Sequence, residues 1–244
     1  MSVLTQKFKA VVVGASGGIG REIVRQLAQN ENAEKIYALS RNGMEFGTNN
    51  VQSLKADITD EKSLEKAAAE IAEEGAVEVV FVATGILHGD DIFPEKALKD
   101  INMTQMENVF KVNTFGPALV AKHFCGLLNR QTPNVFAAIS ARVGSISDNH
   151  FGGWYSYRAS KAALNMLLRS ISIEVARRNK NAVILGLHPG TVDTGLSEPF
   201  QANVPEGKLF SPEYSVRSML EVVDKAQGAD TGKVFDYAGK EVPA

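Results

Sequence analysis

Cysteine is nearly missing from this chain. Cys125 is the only one in 244 residues, which excludes an internal disulfide and a cysteine-rich metal knuckle. Histidine is scarce as well: His88, His123, His150 and His188 share no ligand spacing, so no metal centre is expected. Neither sign of charge is in excess, since 26 Lys and Arg stand against 28 Asp and Glu for a formal net charge of −2. That balance provides no bulk attraction to nucleic acid or to an anionic membrane, and neither partner is expected. Long apolar runs are lacking too. Nothing approaches the roughly 20 residues of a membrane span, and glycines interrupt the opening MSVLTQKFKAVVVGASGG too soon for a secretion signal. A soluble, cytoplasmic protein is the expectation. With 44% hydrophobic residues, the chain is long enough to bury a full core.

What is present is an alternation. Short apolar runs lie at Lys9–Val13, Lys35–Ser40, Val77–Ala83, Asn134–Ser140 and Ala182–His188, with a weaker one at Lys233–Asp236. Helical stretches fall between them, at Gly18–Asn30, Asp60–Glu74, Met103–Leu128, Tyr155–Asn179 and Pro212–Lys225. The runs are rich in Val, Ile and Ala with little alternation, as strands covered on both faces require. Thr59 or Asp60 stands where it can cap the second helix. No linker divides the chain. The pattern predicts one α/β domain over residues 1–244: a doubly wound parallel sheet between two helical layers, a three-layer α/β/α sandwich. Gly195–Ser211 has no clear period, and a connection of that length is expected to act as a substrate lid.

The first strand runs into Gly14-Ala15-Ser16-Gly17-Gly18-Ile19-Gly20, and a helix follows. Glycine suits such a turn for three reasons: it permits a tight turn, it lets backbone approach a pyrophosphate, and it lets helix pack on strand. The helix N-terminus then offers free N–H groups and a positive dipole end to phosphate. The same residues also fit Gly-x-Ser-x-Gly, a hydrolase nucleophile elbow, with Ser16 as nucleophile and Asp193 as acid. That elbow follows a central strand in its own fold, and no histidine comes after Asp193. A dinucleotide site is therefore preferred. At the end of the second strand, Tyr37-Ala38-Leu39-Ser40-Arg41-Asn42 carries no acid to hold a ribose 2′-hydroxyl, but it carries Arg41 for a 2′-phosphate. NADP(H) is favoured over NAD(H).

Tyr157 and Lys161 stand four apart at the start of a helix, so their side chains share a face. A phenol of pKa near 10 is a poor acid–base group at neutral pH, and a neighbouring ammonium is expected to lower it. The pair is thus a candidate general acid–base.

Together these pieces resemble the short-chain dehydrogenase/reductase family over nearly the whole chain. The matching residues are Gly14 to Gly20, Asp57, Ala83-Thr84-Gly85, Asn113, Tyr157-x-x-x-Lys161 and Pro189-Gly190-Thr191-Val192-Asp193-Thr194. More narrowly, Ala141 to Ile146 followed by Gly152 to Asn165 is similar to the carbonyl-reductase-like branch that includes sniffer and the bacterial C-factor. The resemblance implies a Rossmann-like fold and hydride transfer between nicotinamide and a carbonyl or alcohol. It implies Tyr157 as acid–base, Lys161 as the group that lowers its pKa and holds the nicotinamide ribose, and Asn113 as the holder of a water that links Lys161 to solvent. It further implies cofactor contacts from Gly14, Ser16, Gly17, Gly18, Ile19 and Gly20. Asp57 and Ile58 would take the adenine, Ala83, Thr84 and Gly85 would line the cofactor, and Pro189, Gly190, Val192 and Thr194 would meet its nicotinamide half and pyrophosphate. A homodimer or homotetramer built on the helices carrying Asn113 and Tyr157 follows by the same resemblance.

One departure stands out. The family usually reads Ile-Ser-Ser-x-x-Gly after the fifth strand, and its second serine bonds the substrate oxygen; this chain reads Ile139-Ser140-Ala141-Arg142-Val143-Gly144. Ser140 is the expected stand-in, although a one-residue shift on a strand changes face. Ser145 is the second candidate. The lid residues Leu196, Phe200, Val204, Leu209 and Phe210 suit an apolar or aromatic aldehyde or ketone. His150 and Trp154 are placed to border it. The missing serine and the C-factor resemblance leave an alternative, a nucleotide-binding regulatory or signalling protein with weak or no turnover.

Overall fold

The computed structural model describes residues 2–89 and 91–244. Seven strands form one parallel sheet: β1 (Phe8–Val13), β2 (Ala33–Ser40), β3 (Val51–Lys55), β4 (Val79–Val82), β5 (Asn134–Ile139), β6 (Ala182–His188) and a last strand at Lys233–Asp236. Their spatial order is β3-β2-β1-β4-β5-β6 and then that last strand. The order reverses direction between β1 and β4, which is where an open sheet of this kind leaves a crevice at the carboxyl ends of its strands.

The strand residues point alternately into two cores. One face carries Val11, Val13, Leu39, Val80, Val82, Phe136 and Ile184 against α2 (Glu61–Glu73), α4 (Gly116–Phe124) and α5 (Tyr155–Val175). The other carries Ala10, Val12, Ile36, Phe81, Ala137 and Leu185 against α1 (Gly18–Ala28) and α6 (Pro212–Lys225). Full burial of side chains such as Ile23, Leu64 and Ile71 contributes about 1.5–3 kcal/mol each. Helix starts are chemically marked. Asp60 accepts from Lys62 N at 3.1 Å to open α2, and Ser211 accepts from Tyr214 N at 3.2 Å to open α6. No helix among the described residues is long and apolar enough to cross a membrane.

Three features differ from the sequence expectation. β3 carried no apolar run, because an edge strand packs on one side only; its Val51-Gln52-Ser53-Leu54 is half-buried and Lys55 is exposed. The expected single helix Met103–Leu128 is α3 (Met103–Phe110), a π-helical turn at Lys111–Phe115 and then α4. Pro117 has no N–H for the Asn113 carbonyl, so the i→i−4 ladder cannot run through this point. π-turns within helices recur at functional sites, and Asn113 is at the centre of this one. The stretch Gly195–Ser211 is also more regular than its sequence suggested. It holds a 3₁₀ turn at Glu198–Asn203 and a short strand, Leu209–Phe210 (β8), paired with Thr191–Val192 (β7). The strand Lys233–Asp236 is accordingly β9.

Candidate active site

The carboxyl ends of β1, β2, β4, β5 and β6 border one continuous cleft. Its first half, about 540 Å³, is lined by Gly14, Ser16, Gly17, Ser40, Arg41, Asp57, Ile58, Ala83, Thr84 and Gly85. Its second half, about 440 Å³, shares Gly17, Ala83, Thr84 and Gly85 with the first. It continues past Ile19, Ser140, Ala141, Trp154, Tyr157, Lys161, His188, Gly190, Val192, Thr194 and Phe200. Most of the residues singled out in the sequence therefore line one place, although they come from distant parts of the chain; Gly20, Asn113 and Ser145 are buried outside its lining, and His150 is exposed away from it.

Each glycine of the first turn has its own reason. Gly14 has φ +88°, a left-handed conformation that L side chains rarely adopt. A Cβ on Gly20 would stand 2.1 Å from the Gly14 carbonyl oxygen, so this position serves helix-on-strand packing. On Gly18, a Cβ would meet Thr194 Cγ2 at 2.6 Å. Gly17 differs from these. Its φ is −73°, and a Cβ there would meet nothing nearer than Gly14 O at 3.5 Å, so the fold itself does not require glycine. Gly17 is also the N-cap of α1 and provides no side-chain cap to the first-turn N–H groups. Bare backbone donors at the positive end of a helix, facing a cleft, fit a pyrophosphate. The hydroxyls of Ser40 and Thr84, both lining the cleft, are buried without any partner, which fits a ligand rich in polar atoms. Arg41 is exposed at the mouth and forms no ion pair among the described residues. Asp57 uses Oδ1 to accept from Thr59 N at 2.9 Å and from Thr59 Oγ1 at 2.8 Å, which tightens the turn after β3. Ile58 is 7% exposed and wedged over Gly116.

The second half holds the candidate acid–base pair. Lys161 is 1% exposed, and its Nζ donates to Ile139 O at 2.8 Å. The same Nζ stands 5.8 Å from the centre of the Tyr157 ring. Asn113 is fully buried and spans two segments: its Oδ1 accepts from Ile86 N at 2.8 Å, and its Nδ2 donates to Ile86 O at 2.9 Å and to Ser160 Oγ at 3.1 Å. It thus pins the loop after β4 to the turn of α5 that separates Tyr157 from Lys161. Pro189 and Gly190 make the turn after β6; Ser215 donates to Pro189 O at 2.7 Å, and Phe210 covers Gly190. Val192 is buried, and Thr194 packs its methyl on Gly18, joining the segment after β7 to the glycine turn.

The expected lowering of the Tyr157 pKa is corrected by this geometry. Burial pushes the phenol up to about 12, and burial pushes the Lys161 ammonium down to about 8. Both charged forms lose hydration in the wall of the cleft, where Lys161 is buried and Tyr157 half-buried. Burial likewise pushes His188 down to about 4, with Arg142 adding to the effect, so its ring is neutral at pH 7.

Residues 9–205 match the short chain dehydrogenase family. The chain belongs to that family. It is a short-chain dehydrogenase/reductase, an oxidoreductase built on the Rossmann-like fold. Over 147 residues, which are 60% of this chain and 83% of the relative, it is 39% identical to the C-signal of Myxococcus xanthus. In fold it is similar to NADPH-bound carbonyl reductase from chicken fatty liver, with a TM-score of 0.85 at 24% identity over 98% of this chain and 95% of that one. Carbonyl reductase Sniffer of D. melanogaster gives 0.83 at 20% identity, over 98% and 100%.

Within this dehydrogenase the serine question takes a concrete form. Ala141 is 8% exposed on the cleft and has no hydroxyl to offer. Ser140 is 2% exposed, and its Oγ–H donates to Asn165 Oδ1 at 2.6 Å. Ser145 accepts from Asp148 N at 3.2 Å and donates to Ala244 O at 3.5 Å. Ser16 is exposed and forms no hydrogen bond with a histidine or carboxylate among the described residues, so it has no triad. Asp193, the acid of that alternative, accepts from Gln201 Nε2 at 2.9 Å.

The structure also adds residues that motif reading passed over. Asn165 lies four after Lys161 and eight after Tyr157, so helical periodicity alone puts it on the same face. An aromatic wall covers the Tyr157 end of the cleft. The Trp154 ring stands 6.2 Å from Tyr157 and 5.1 Å from Phe200, and Phe200 packs at 5.8 Å on His88. His88 Nε2 also meets Gly195 O at 2.9 Å, which ties the loop after β4 to the start of the 195–211 stretch. Trp154 borders the cleft as expected, whereas His150 is exposed. Nothing local in the sequence joins His88 to Phe200, 112 residues apart.

Proposed function

We propose that this protein is an NADP(H)-dependent carbonyl reductase acting on an apolar or aromatic aldehyde or ketone, or on the matching alcohol in reverse. The observation that carries the reading is the single cleft. Arg41 and the glycine turn stand at one end, while Tyr157, Lys161 and an aromatic wall stand at the other. NADPH would be held by Gly14, Ser16, Gly17, Gly18, Ile19, Arg41, Asp57, Ile58, Ala83, Thr84, Gly85, Gly190, Val192 and Thr194, and when bound it supplies the hydride. Tyr157, protonated at neutral pH, gives its proton to the carbonyl oxygen. Lys161 holds positive charge under the ring and offers its remaining protons to the ribose. Asn113 fixes the floor between them. Exposed Phe115, Met166 and Ile173, on the π-turn and on α5, support a homodimer or homotetramer through these helices.

Ser140 is proposed as the donor to the substrate oxygen. An Asn amide presents donors and acceptor on one planar head, and a half-turn of Asn165 would donate to Ser140 Oγ and free its O–H. Ser140→Ala is expected to lower kcat about 10²-fold, the usual consequence of losing one oxyanion donor. A loss below about threefold in steady-state reduction would assign the role elsewhere. The alternative, a nucleotide-binding regulator, draws on Ala141 and on the likeness to C-signal.

The deciding experiment is a fluorescence titration with NADPH and NADH, followed by a panel of aromatic and aliphatic carbonyl compounds. The expected result is tighter NADPH binding and carbonyl-dependent loss of its absorbance. Arg41→Asp should invert the preference, since a charge-assisted bond to phosphate is worth about 1.5–3 kcal/mol, or roughly ten- to a hundredfold in Kd. Binding without turnover across the panel favours the regulator, and no binding of either nucleotide ends both readings.

A further inference from the structure

Glu95 is 2% exposed, in a connection whose neighbours Phe93 and Leu98 are 66% and 71% exposed. Burying an ionised carboxylate is costly unless its oxygens are satisfied. Here they are, and the partners are specific. Oε2 accepts from Ser156 N at 3.1 Å, and Oε1 accepts from Gln105 Nε2 at 2.8 Å and from Ser156 Oγ–H. The main-chain oxygen of Glu95 accepts from Trp154 N at 2.5 Å. Three of the four bonds go to Trp154 and Ser156, just ahead of Tyr157.

These residues need outside help. α5 begins at Tyr155, and its N-cap position is Trp154, which has no side-chain oxygen for the free N–H groups of the first turn. Trp154 also stands at φ +49°, the only described non-glycine residue in the left-handed region. That conformation costs an L residue roughly 1–2 kcal/mol and persists only where its surroundings enforce it. Glu95 meets both needs. Its carboxylate bonds the second N–H of α5 and adds negative charge at the helix's positive end. Its carbonyl holds the Trp154 N–H, so the indole stays against Tyr157 and Phe200. Burial works to raise the Glu95 pKa, but the hydrogen bonds from Ser156 and Gln105 outweigh it and keep the carboxyl below its ordinary 4.5. It is an anion at neutral pH.

We propose that Glu95 is a positioning residue for Tyr157: it caps α5 from 61 residues away in sequence and fixes the place of both the phenol and the Trp154 wall. The proposal rests on the role given to Tyr157 above, and its test separates the two. Trp154 is the only tryptophan of the chain, so tryptophan emission reports on this position alone. The variants are Glu95→Ala, Glu95→Gln and the double variant Glu95→Gln with Gln105→Glu. Ile71→Val, on the distant α2, serves as a comparably destabilised control. In folded Glu95→Ala, kcat should fall about 10²-fold, as expected for a misplacement of about 1 Å, with the NADPH dissociation constant within about twofold of wild type. Its Trp154 emission should shift, and the Ser156 amide should exchange faster. Glu95→Gln should lie between, and Gln105→Glu should restore part of the loss by returning a buried carboxylate. The control should change none of these at a temperature where it is folded. The proposal is overturned if kcat in Glu95→Ala falls only with the folded fraction, or if Trp154 emission and Ser156 exchange match wild type. Should Glu95→Ala not fold, the Gln variant and its Gln105→Glu rescue decide by the same readouts. Absence of turnover in wild type would count against the reductase reading, while emission and exchange would still decide the role of Glu95.

Discussion

Tyr157→Phe is expected to lower carbonyl reduction about 10²- to 10⁴-fold, the usual contribution of a positioned proton donor, equivalent to roughly 3–5 kcal/mol of barrier. The ring keeps its packing, because Trp154 meets its edge and Lys161 lies below it, and neither contact involves the hydroxyl. Stability and NADPH affinity should therefore stay close to wild type. Equal losses in kcat and kcat/KM would locate the hydroxyl in the transition state alone. The pH profile follows from the same site. A phenol pushed to about 12 keeps its proton across neutral pH, which suits donation. Lys161 is pushed down to about 8, so it is charged below that value and neutral above it. Reduction should stay level through neutral pH and decline as pH rises past about 8. A rate that rises with alkali in the reducing direction would contradict this assignment, and so would a Tyr157→Phe enzyme with more than about a tenth of wild-type kcat.

The second large effect is structural. Gly20 lies inside α1, where replacing glycine by alanine ordinarily stabilises a helix by about 1 kcal/mol. Here the sign should reverse. The new Cβ would stand 2.1 Å from Gly14 O, 2.8 Å from Gly14 C and 3.3 Å from Ala15 Cα, all main-chain atoms. That main chain cannot yield cheaply, because Gly14 N and Ala15 N both donate to Leu39 O, at 2.9 and 3.0 Å, and Gly14 O accepts from Gly17 N at 3.1 Å. Gly20→Ala should destabilise by about 1–3 kcal/mol, the usual range for an overpacked core. It should also weaken nucleotide binding, since the turn must open. Gly17→Ala makes the informative comparison. Its Cβ meets only Gly14 O, at 3.5 Å, so the protein should melt near wild type and yet bind NADPH poorly. If the two variants behave alike in chemical denaturation, packing and cofactor approach have not been divided between these glycines.

Much of this site was legible before any coordinates. The order strand, glycine turn, helix is local, and Gly14 and Gly20 are each needed for a reason that chain geometry dictates, while Gly17 is left free of such a demand. Tyr157 and Lys161 share a face because helices repeat every 3.6 residues, and the near-continuous apolar strands demand a sheet covered on both sides. β3 was not legible, because an edge strand buries little and so leaves no apolar run. Nor was the break at Asn113, although Pro117 and its missing N–H could have announced it.

Other properties depend on groups that meet only when the chain is folded. The sequence predicts a lowered Tyr157 pKa from a nearby ammonium, but burial of both groups reverses its sign. Ser140 could be named as a candidate, whereas its hold by Asn165 could not. The cap on α5 comes from Glu95, and a hydrogen bond joins His88 to Gly195. By itself, then, the sequence determined the fold class, the glycine cradle and the Tyr157–Lys161 pair, because periodicity and backbone freedom are properties of short segments. Only the tertiary structure decided the charge states, the hydroxyl's partner and the capping of the helix that carries Tyr157. Desolvation and long-range hydrogen bonds exist only between segments that folding brings together.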